Sequence, residues 1–235
     1  QDEGGIPLDS VTRYNTLFIP RGGEYQITLA DGTKVWMNSD SKLVFPVRFP
    51  GNKREVILEG EAYFEVAHDT TRPFCVKACG ITSSSALIGC VLGGAFNVMA
   101  YSDEPECKVT LVEGGVNIEK NEFLISQLTP RMQFCIDLKT QEYKTTEVDL
   151  RVSTAWKDGI FFFEQESFRS IIAKLSRWYD ITIVCNTPDL YDYRFSGEIR
   201  KYDNALKVLD MLKLTNEITY SLQADHSIIV FKIND

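Results

Sequence analysis

Histidine is nearly absent: His68 and His226 are the only two in 235 residues. That is too few for a histidine-rich metal site, and no general base stands out. His68 is followed by Asp69, as a base and its orienter would be, but no GxSxG-type nucleophile motif accompanies them. A surface turn after a strand is the plainer reading. The glycine-rich Gly89–Gly94 lacks the Lys-Ser/Thr of a phosphate loop and reads as a β-turn region. None of the six cysteines forms a CxxC pair, which excludes zinc-ribbon and thioredoxin readings. Buried free thiols are the expectation for most of them. Basic residues are outnumbered, 25 to 33, so the net charge is −8, which argues against a nucleic-acid partner. No apolar run is long enough to cross a bilayer, and no basic-then-apolar leader opens the chain. The chain as given reads as soluble and is compatible with a piece of something larger.

What is present is β-pattern. In Leu58-Glu59-Gly60-Glu61-Ala62-Tyr63-Phe64-Glu65-Val66, Ala62, Phe64 and Val66 alternate with Tyr63 and Glu65, the mark of a half-buried strand. Val56-Ile57-Leu58 enters from the other side of Gly60, so the stretch reads strand, glycine corner, strand. Val109–Ile118 repeats the design around Glu113-Gly114. Ile27–Val35 echoes it around Asp31-Gly32, a hairpin turn pair. Similar turns within one β-domain and true internal repetition both fit. The architecture expected is an antiparallel jelly roll or a short solenoid.

Residues 1–13 read as a flexible lead-in and 14–142 as the β-domain. Pro46 assigns Leu43–Phe49 to an edge or bulge. After about Glu142 the period changes. Trp156–Phe163 is an apolar strand signal. Phe168, Ile171, Ile172, Leu175 and Trp178 then fall at helical spacing behind Ser167, a good N-cap. Asp203 is placed to cap a second helix carrying Leu206, Leu209, Met211 and Leu212. Strands are expected at Ile181–Val184, Arg194–Ile199, Ile218–Leu222 and Ile228–Ile233. The order β-α-β, then β-α-β-β, predicts a small α+β domain over 156–235, with 143–155 as the linker.

Several motifs resemble the FecR-like family of membrane-anchored anti-sigma regulators. They are Pro20-Arg21-Gly22-Gly23-Glu24-Tyr25, Leu29–Thr33, Leu58–Val66, Arg72-Pro73-Phe74, and Val91-Leu92-Gly93 with Phe96-Asn97-Val98. The resemblance spans roughly Thr16 to Gln133. The tail is similar to the domain that follows in Bacteroidetes members, itself similar to the secretin/TonB short N-terminal fold. Its motifs are Ala155–Gly159, Leu175–Asp180 and Phe195-Ser196-Gly197. The resemblance implies a periplasmic part, anchored in the inner membrane by one helix outside this chain. It implies a signal from the signalling domain of a TonB-dependent outer-membrane transporter, and a sigma factor reached through a cytoplasmic segment also outside this chain. It implies no enzyme, cofactor, metal or catalytic residue.

Between Phe74 and Val91 the chain is longer than the family pattern. The excess includes Ser83-Ser84-Ser85 and brings Cys79 and Cys90. In a periplasmic protein these two are candidates to bridge the segment, with Cys75 competing.

Other candidates are weighed on chemistry. Glu61 and Glu65 lie four residues apart on a strand, about 13 Å, too far for a glycosidase pair; a solvated or edge face is the reading. Trp156, Trp178 and Tyr179 suit a core better than a sugar platform. The alternative function is a carbohydrate-binding or sensing β-domain, which exposed aromatics on one concave face would favour. For partner binding the candidate is the strand Arg194–Arg200. Arg194, Glu198 and Arg200 are expected outside, Phe195 and Ile199 inside, and Gly197 allows close backbone approach. An internal strand with ordinary surface charges fits the same residues.

Overall fold

The computed structural model describes residues 12–78, 87–201, 205–215, 218–223 and the backbone of 228–232. The described residues divide into two compact units. One comprises residues up to Phe18, Gln26–Met37 and Ser41–Glu147; the other comprises Ile19–Tyr25, Asn38–Asp40 and everything from Val148.

The first unit is an 11-stranded sheet. Its strands are β1 (Tyr14–Ile19), β2 (Tyr25–Thr28), β3 (Lys34–Met37), β4 (Ser41–Pro46), β5 (Arg54–Val66), β6 (Phe74–Ala78), β7 (Leu87–Ala100), β8 (Glu106–Lys120), β9 (Phe123–Leu128), β10 (Met132–Asp137) and β11 (Tyr143–Glu147). The main path runs β1-β4-β5-β6-β7-β8-β10-β11, with β2 and β3 joined through β5 and β9 on β8. β5 and β6 run parallel, Arg54 pairing with Phe74, whereas the ladders that β3, β4 and β7 make with β5, and those joining β6 through β11, are antiparallel.

Three long strands bend at glycines. Gly60, Gly94 and Gly114 have φ of 101°, 118° and 93°. An added Cβ would strike Ser41 at Gly60, Glu113 at Gly94 and Gly93 at Gly114. No L side chain fits such corners. Each bent strand therefore changes neighbours at its corner. Before Gly60, β5 pairs with β4 and β6; after it, with β3 and β7. The first half of β8 carries β10 and the second half carries β9. The fold-back is visible in β5. Phe64 touches the Phe74 ring at 5.8 Å, although Phe74 pairs with Arg54 in the ladder. A straight strand would separate residues 54 and 64 by about 33 Å. Phe64, Phe74 and Phe96 thus form the centre of the core, each fully buried.

Two expectations change here. Gly89–Gly94 is not a turn: it is part of β7, with a bulge between Val91 and Gly94. Both neighbouring strands pair with this stretch, so its backbone is held extended despite the glycines. The stretch after Gly60 is covered on both faces rather than half-buried. Tyr63 is 5% exposed and stacks edge-on to Trp36, its cross-strand neighbour.

The disulfide candidate is corrected. Cys90 is bonded to Cys75, not to Cys79. Cys75 and Cys90 are directly opposed across β6 and β7, with Cα atoms 4.2 Å apart, within reach of a bridge without backbone movement. Cys79 lies outside the described residues. Cys107 is also disulfide-bonded, while Cys135 and Cys185 are buried free thiols.

The second unit holds α1 (Arg151–Thr154), a 3-10 turn (Ala155–Asp158), β12 (Ile160–Ser167), α2 (Phe168–Tyr179), β13 (Thr182–Cys185), a 3-10 turn (Pro188–Asp192), β14 (Arg194–Arg200), α3 (Ala205–Lys213), β15 (Thr219–Leu222) and β16 (Ile228–Lys232). Residues 143–155, read as a linker, instead contain β11 and α1. The front of the Trp156–Phe163 signal is a 3-10 turn, closed by Gly159 at φ 74°. Ser167 caps α2 by accepting from the Ser170 N–H at 3.3 Å. Residue Asp203, the expected cap of α3, lies outside the described residues. On α3, Val208, Leu209 and Leu212 are buried and Met211 is exposed.

The strands make two small sheets rather than one: β12-β14 and β13-β16-β15, the β13–β16 pair being parallel. Period-two runs report strands but not their partners, which are chosen at long range. The core of this unit joins α2 to β12 and β14. Trp178 meets Phe161 edge-on at 4.9 Å, and Phe168 meets Phe195 at 5.8 Å. Loop residues early in the chain complete the unit. Trp178 Nε1 donates to Asn38 Oδ1 at 2.8 Å, and Lys201 Nζ lies 2.5 Å from Glu24 Oε2 and 4.3 Å from the Trp178 ring centroid. Among the described residues no helix is long and apolar enough to cross a membrane.

Candidate functional site

The candidate strand β14 is an edge. Among the described residues it pairs with β12 alone, antiparallel, with Glu198 opposite Phe162. Its side chains alternate. Phe195 and Ile199 are buried at 7% and 5%, while Arg194, Ser196, Glu198 and Arg200 are exposed. Arg194 Nη1 donates to the Gln165 carbonyl at 2.8 Å. Glu198 adds to the negative field around Arg151, whose guanidinium is held charged chiefly by Asp149. Gly197 does not offer a bare backbone to a partner. A Cβ there would lie 3.1 Å from the Phe163 ring, so the missing side chain accommodates this protein's own core.

A second feature was not legible in the sequence. On the first unit a groove of about 790 Å³ crosses the sheet at the glycine corners of β7 and β8. It runs from Lys53 and Pro73 over Leu92 to Asn117 and Gln127. His68 stands over Gly93, where a Cβ would approach its Nδ1 to 2.8 Å. Asn117 accepts from Gln127 Nε2 at 3.2 Å. The only early signal was the pair of glycines at each corner, 93–94 and 114–115. That pairing does not reveal a groove until the strands are bent beside one another.

Neither feature gathers catalytic groups. Glu61 is buried, not solvated, and accepts from Asn97 Nδ2 at 2.9 Å; Glu65 faces Lys34 at 3.8 Å. Asp69 is held well below the usual carboxylate range, first by the Thr71 hydroxyl and then by the Thr71 backbone N–H. That is the chemistry of a tight turn. Among the described residues no group of three His, Cys, Asp or Glu side chains is placed to hold a metal.

The FecR protein family model matches residues 15–117, and the FecR, C-terminal model matches residues 160–230. The chain belongs to the FecR family. Two crystal structures of proposed anti-sigma factors from Parabacteroides distasonis ATCC 8503 share the fold, each with a TM-score of 0.84. One is 29% identical over 95% of this chain and 100% of its own; the other is 28% identical over 94% and 100%. Among curated protein sequences, none matches the chain.

Proposed function

We propose that this chain is the periplasmic signal-relay part of an anti-sigma regulator and has no catalytic activity of its own. The observation that carries the reading is the likeness to proposed anti-sigma factors along 95% of the chain, with a FecR-family match in each unit. The Cys75–Cys90 disulfide supports an oxidising compartment such as the periplasm. In this reading a membrane helix and a cytoplasmic sigma-binding segment belong to the full-length protein. The input comes from the signalling domain of a TonB-dependent outer-membrane transporter. The 156–235 domain receives it at β14, whose open edge invites strand addition, with Arg194, Glu198 and Arg200 selecting the partner.

Of the residues weighed as a sugar platform, Trp156 and Trp178 are each 7% exposed, which disfavours the carbohydrate-binding alternative at that place. The test is titration calorimetry of the chain with the signalling domain of a TonB-dependent outer-membrane transporter from the source organism. Binding is expected, and Glu198→Lys with Arg200→Glu is expected to weaken it at least about tenfold, ~1.4 kcal/mol. A double variant that keeps its circular dichroism spectrum and full affinity removes β14 as the site. No binding by the wild-type chain removes the transporter as the partner.

A further inference from the structure

The outer face of β1, β4 and β5 is apolar where it meets solvent. Val44 stands opposite Ile57 in the β4–β5 ladder. The Val47 N–H donates to the Arg13 carbonyl at 2.8 Å, and the Asp40 N–H to the Pro20 carbonyl at 3.3 Å. Those two bonds hold β1 and β4 in one antiparallel register, with Thr16 opposite Val44. Opposed residues leave a sheet on the same side, and so do alternate residues of one strand. Tyr14, Phe18, Val44 and Ile57 therefore share a side. Tyr14, Phe18 and Ile57 are 60%, 61% and 49% exposed there. Leu43 and Leu58, paired on the opposite side, are buried. The core thus lies on the inner side, and the two rings and Ile57 face water.

Charge is uneven along this face. Over the strands it cancels: Lys42 stands opposite Glu59, and Lys77 pairs with Glu55 at 2.7 Å. At the end where β4 turns into β5 it does not cancel. Arg13 is bonded through its carbonyl to Val47, and Arg48 and Lys53 lie on the two sides of the loop that follows. All three cations are exposed, and among the described residues none makes an ion pair. The acids of the adjoining turns are engaged, Asp31 by Arg54 and Asp69 by Arg72. Phe49 packs edge-on against Phe74 at 6.0 Å and holds the loop to the core. Val47, 47% exposed, and Arg48 thus project from a fixed base. The end of the strip is cationic on a chain of net charge −8. At about 0.15 M salt, charges are screened beyond about 8 Å, so a surface touching this end feels the cations and not the acidic remainder.

We infer that this face rests on an anionic bilayer, with Tyr14, Phe18, Val47 and Ile57 entering the headgroup layer and Arg13, Arg48 and Lys53 meeting lipid phosphates. Apolar side chains flanked by cations are what an interfacial element presents: the rings settle at headgroup level, and each nearby cation adds attraction. Charge complementarity selects the bilayer over a second copy. A copy meeting this face with its own would bring no anion for the three cations, its Glu55 and Glu59 being matched to lysines already. The inference rests on the proposed membrane anchoring, which keeps a bilayer within reach and lets weak contacts suffice. It uses no β14 residue, so this test and the transporter test fail separately.

The ¹⁵N-labelled full chain is mixed with phosphatidylcholine vesicles carrying about 30 mol% phosphatidylglycerol, and with vesicles of phosphatidylcholine alone. Co-sedimentation is expected with the anionic vesicles, falling steeply as salt is raised from about 0.05 to 0.5 M. A spin-labelled lipid in those vesicles is expected to broaden the amides of Phe18, Val47, Arg48 and Ile57 and to spare those of β14. Arg48→Gln with Lys53→Gln is expected to weaken partitioning about 25-fold, roughly fivefold for each cation. Phe18→Thr with Ile57→Thr, which keeps strand-forming residues on the surface, is expected to weaken it at least about fivefold with the salt dependence unchanged. No binding to the anionic vesicles, equal binding to both kinds, broadening confined to other residues, or full partitioning by the folded double-glutamine chain each overturns the inference. Binding of poly-glutamate to the same residues, undisplaced by vesicles, also overturns it and assigns the face to an acidic protein partner. Concentration-dependent dimerisation that buries these residues without lipid overturns it in favour of a second copy.

Discussion

Arg54 Nη1 donates to Asp31 Oδ2 at 2.8 Å, with the side chains only 1% and 6% exposed. Arg54 opens β5, and Asp31 sits in the β2–β3 turn. The same guanidinium donates to the Ala67 carbonyl at 2.8 Å through Nη1 and to the Arg72 carbonyl at 2.9 Å through Nε. Residue 67 directly follows β5, so one arginine ties the start of that bent strand to its end. Asp31 in turn accepts from the Thr33 N–H at 3.0 Å and the Thr33 hydroxyl at 2.7 Å. A buried ion pair so enmeshed is strongly unfavourable to break from one side.

Asp31→Ala is therefore expected to destabilise the first unit by roughly 3–5 kcal/mol, because it leaves a buried guanidinium uncompensated. Urea unfolding followed by the fluorescence of Trp36 measures it. A loss below about 1 kcal/mol refutes the clasp.

The glycines separate cleanly. Gly94→Ala is expected to cost several kcal/mol, since it combines positive φ with collision against the Glu113 carbonyl. Gly115→Ala is expected to change stability by less than about 0.5 kcal/mol. Thermal melts of the two variants side by side test the contrast, and equal losses would contradict it.

Peptide mapping without reduction is expected to yield a Cys75–Cys90 fragment and none joining Cys79 to Cys90. In the chain-entropy account, closing a span of 15 residues contributes about 3 kcal/mol. Reduction, or Cys75→Ser with Cys90→Ser, should lower the melting temperature accordingly. A fully reduced protein from the oxidising compartment contradicts the pairing.

Cys135 is expected to resist alkylation at pH 8 in the folded protein. Burial pushes its thiol up to about 11, and the Glu106 carboxylate adds to the effect. The unfolded thiol ionises near its ordinary 9.0. The folded state thus holds this proton longer, and its contribution is complete below pH 9 and lost as pH rises toward 11. Cys135→Ala should flatten the alkaline decline in stability between those values. An unchanged decline assigns it to other groups. Rapid labelling of Cys135 in native protein is equally contrary.

A fragment beginning at Val148 is expected to be less stable than the same residues within the whole chain. It lacks Asn38, the acceptor for Trp178, and Glu24, the partner of Lys201. Limited proteolysis should open the chain near residues 148–150, between β11 and α1. The released tail should show red-shifted tryptophan emission. A blue-shifted, cooperatively melting fragment would show that the early loops are dispensable.

Much of this was legible in local sequence because local physics decides it. Alternation at Ala62, Phe64 and Val66 marks a strand whatever it pairs with. The Ser167 cap and the spacing of Phe168, Ile171, Ile172, Leu175 and Trp178 specify a helix within one turn's reach. Glycine before Glu61 and after Glu113 signals a corner, because only glycine takes those φ angles. Partner choice is different. That β6 joins β5 in parallel, that Cys90 opposes Cys75, that Phe163 fills the space over Gly197, and that Glu61 is buried against Asn97 all depend on residues brought together from separate stretches. The groove depends on them most. Its floor comes from two bent strands and its ends from three others, and no single stretch carries its shape. Periodicity determines which way a side chain leaves its own backbone; only the folded sheet determines what stands opposite it.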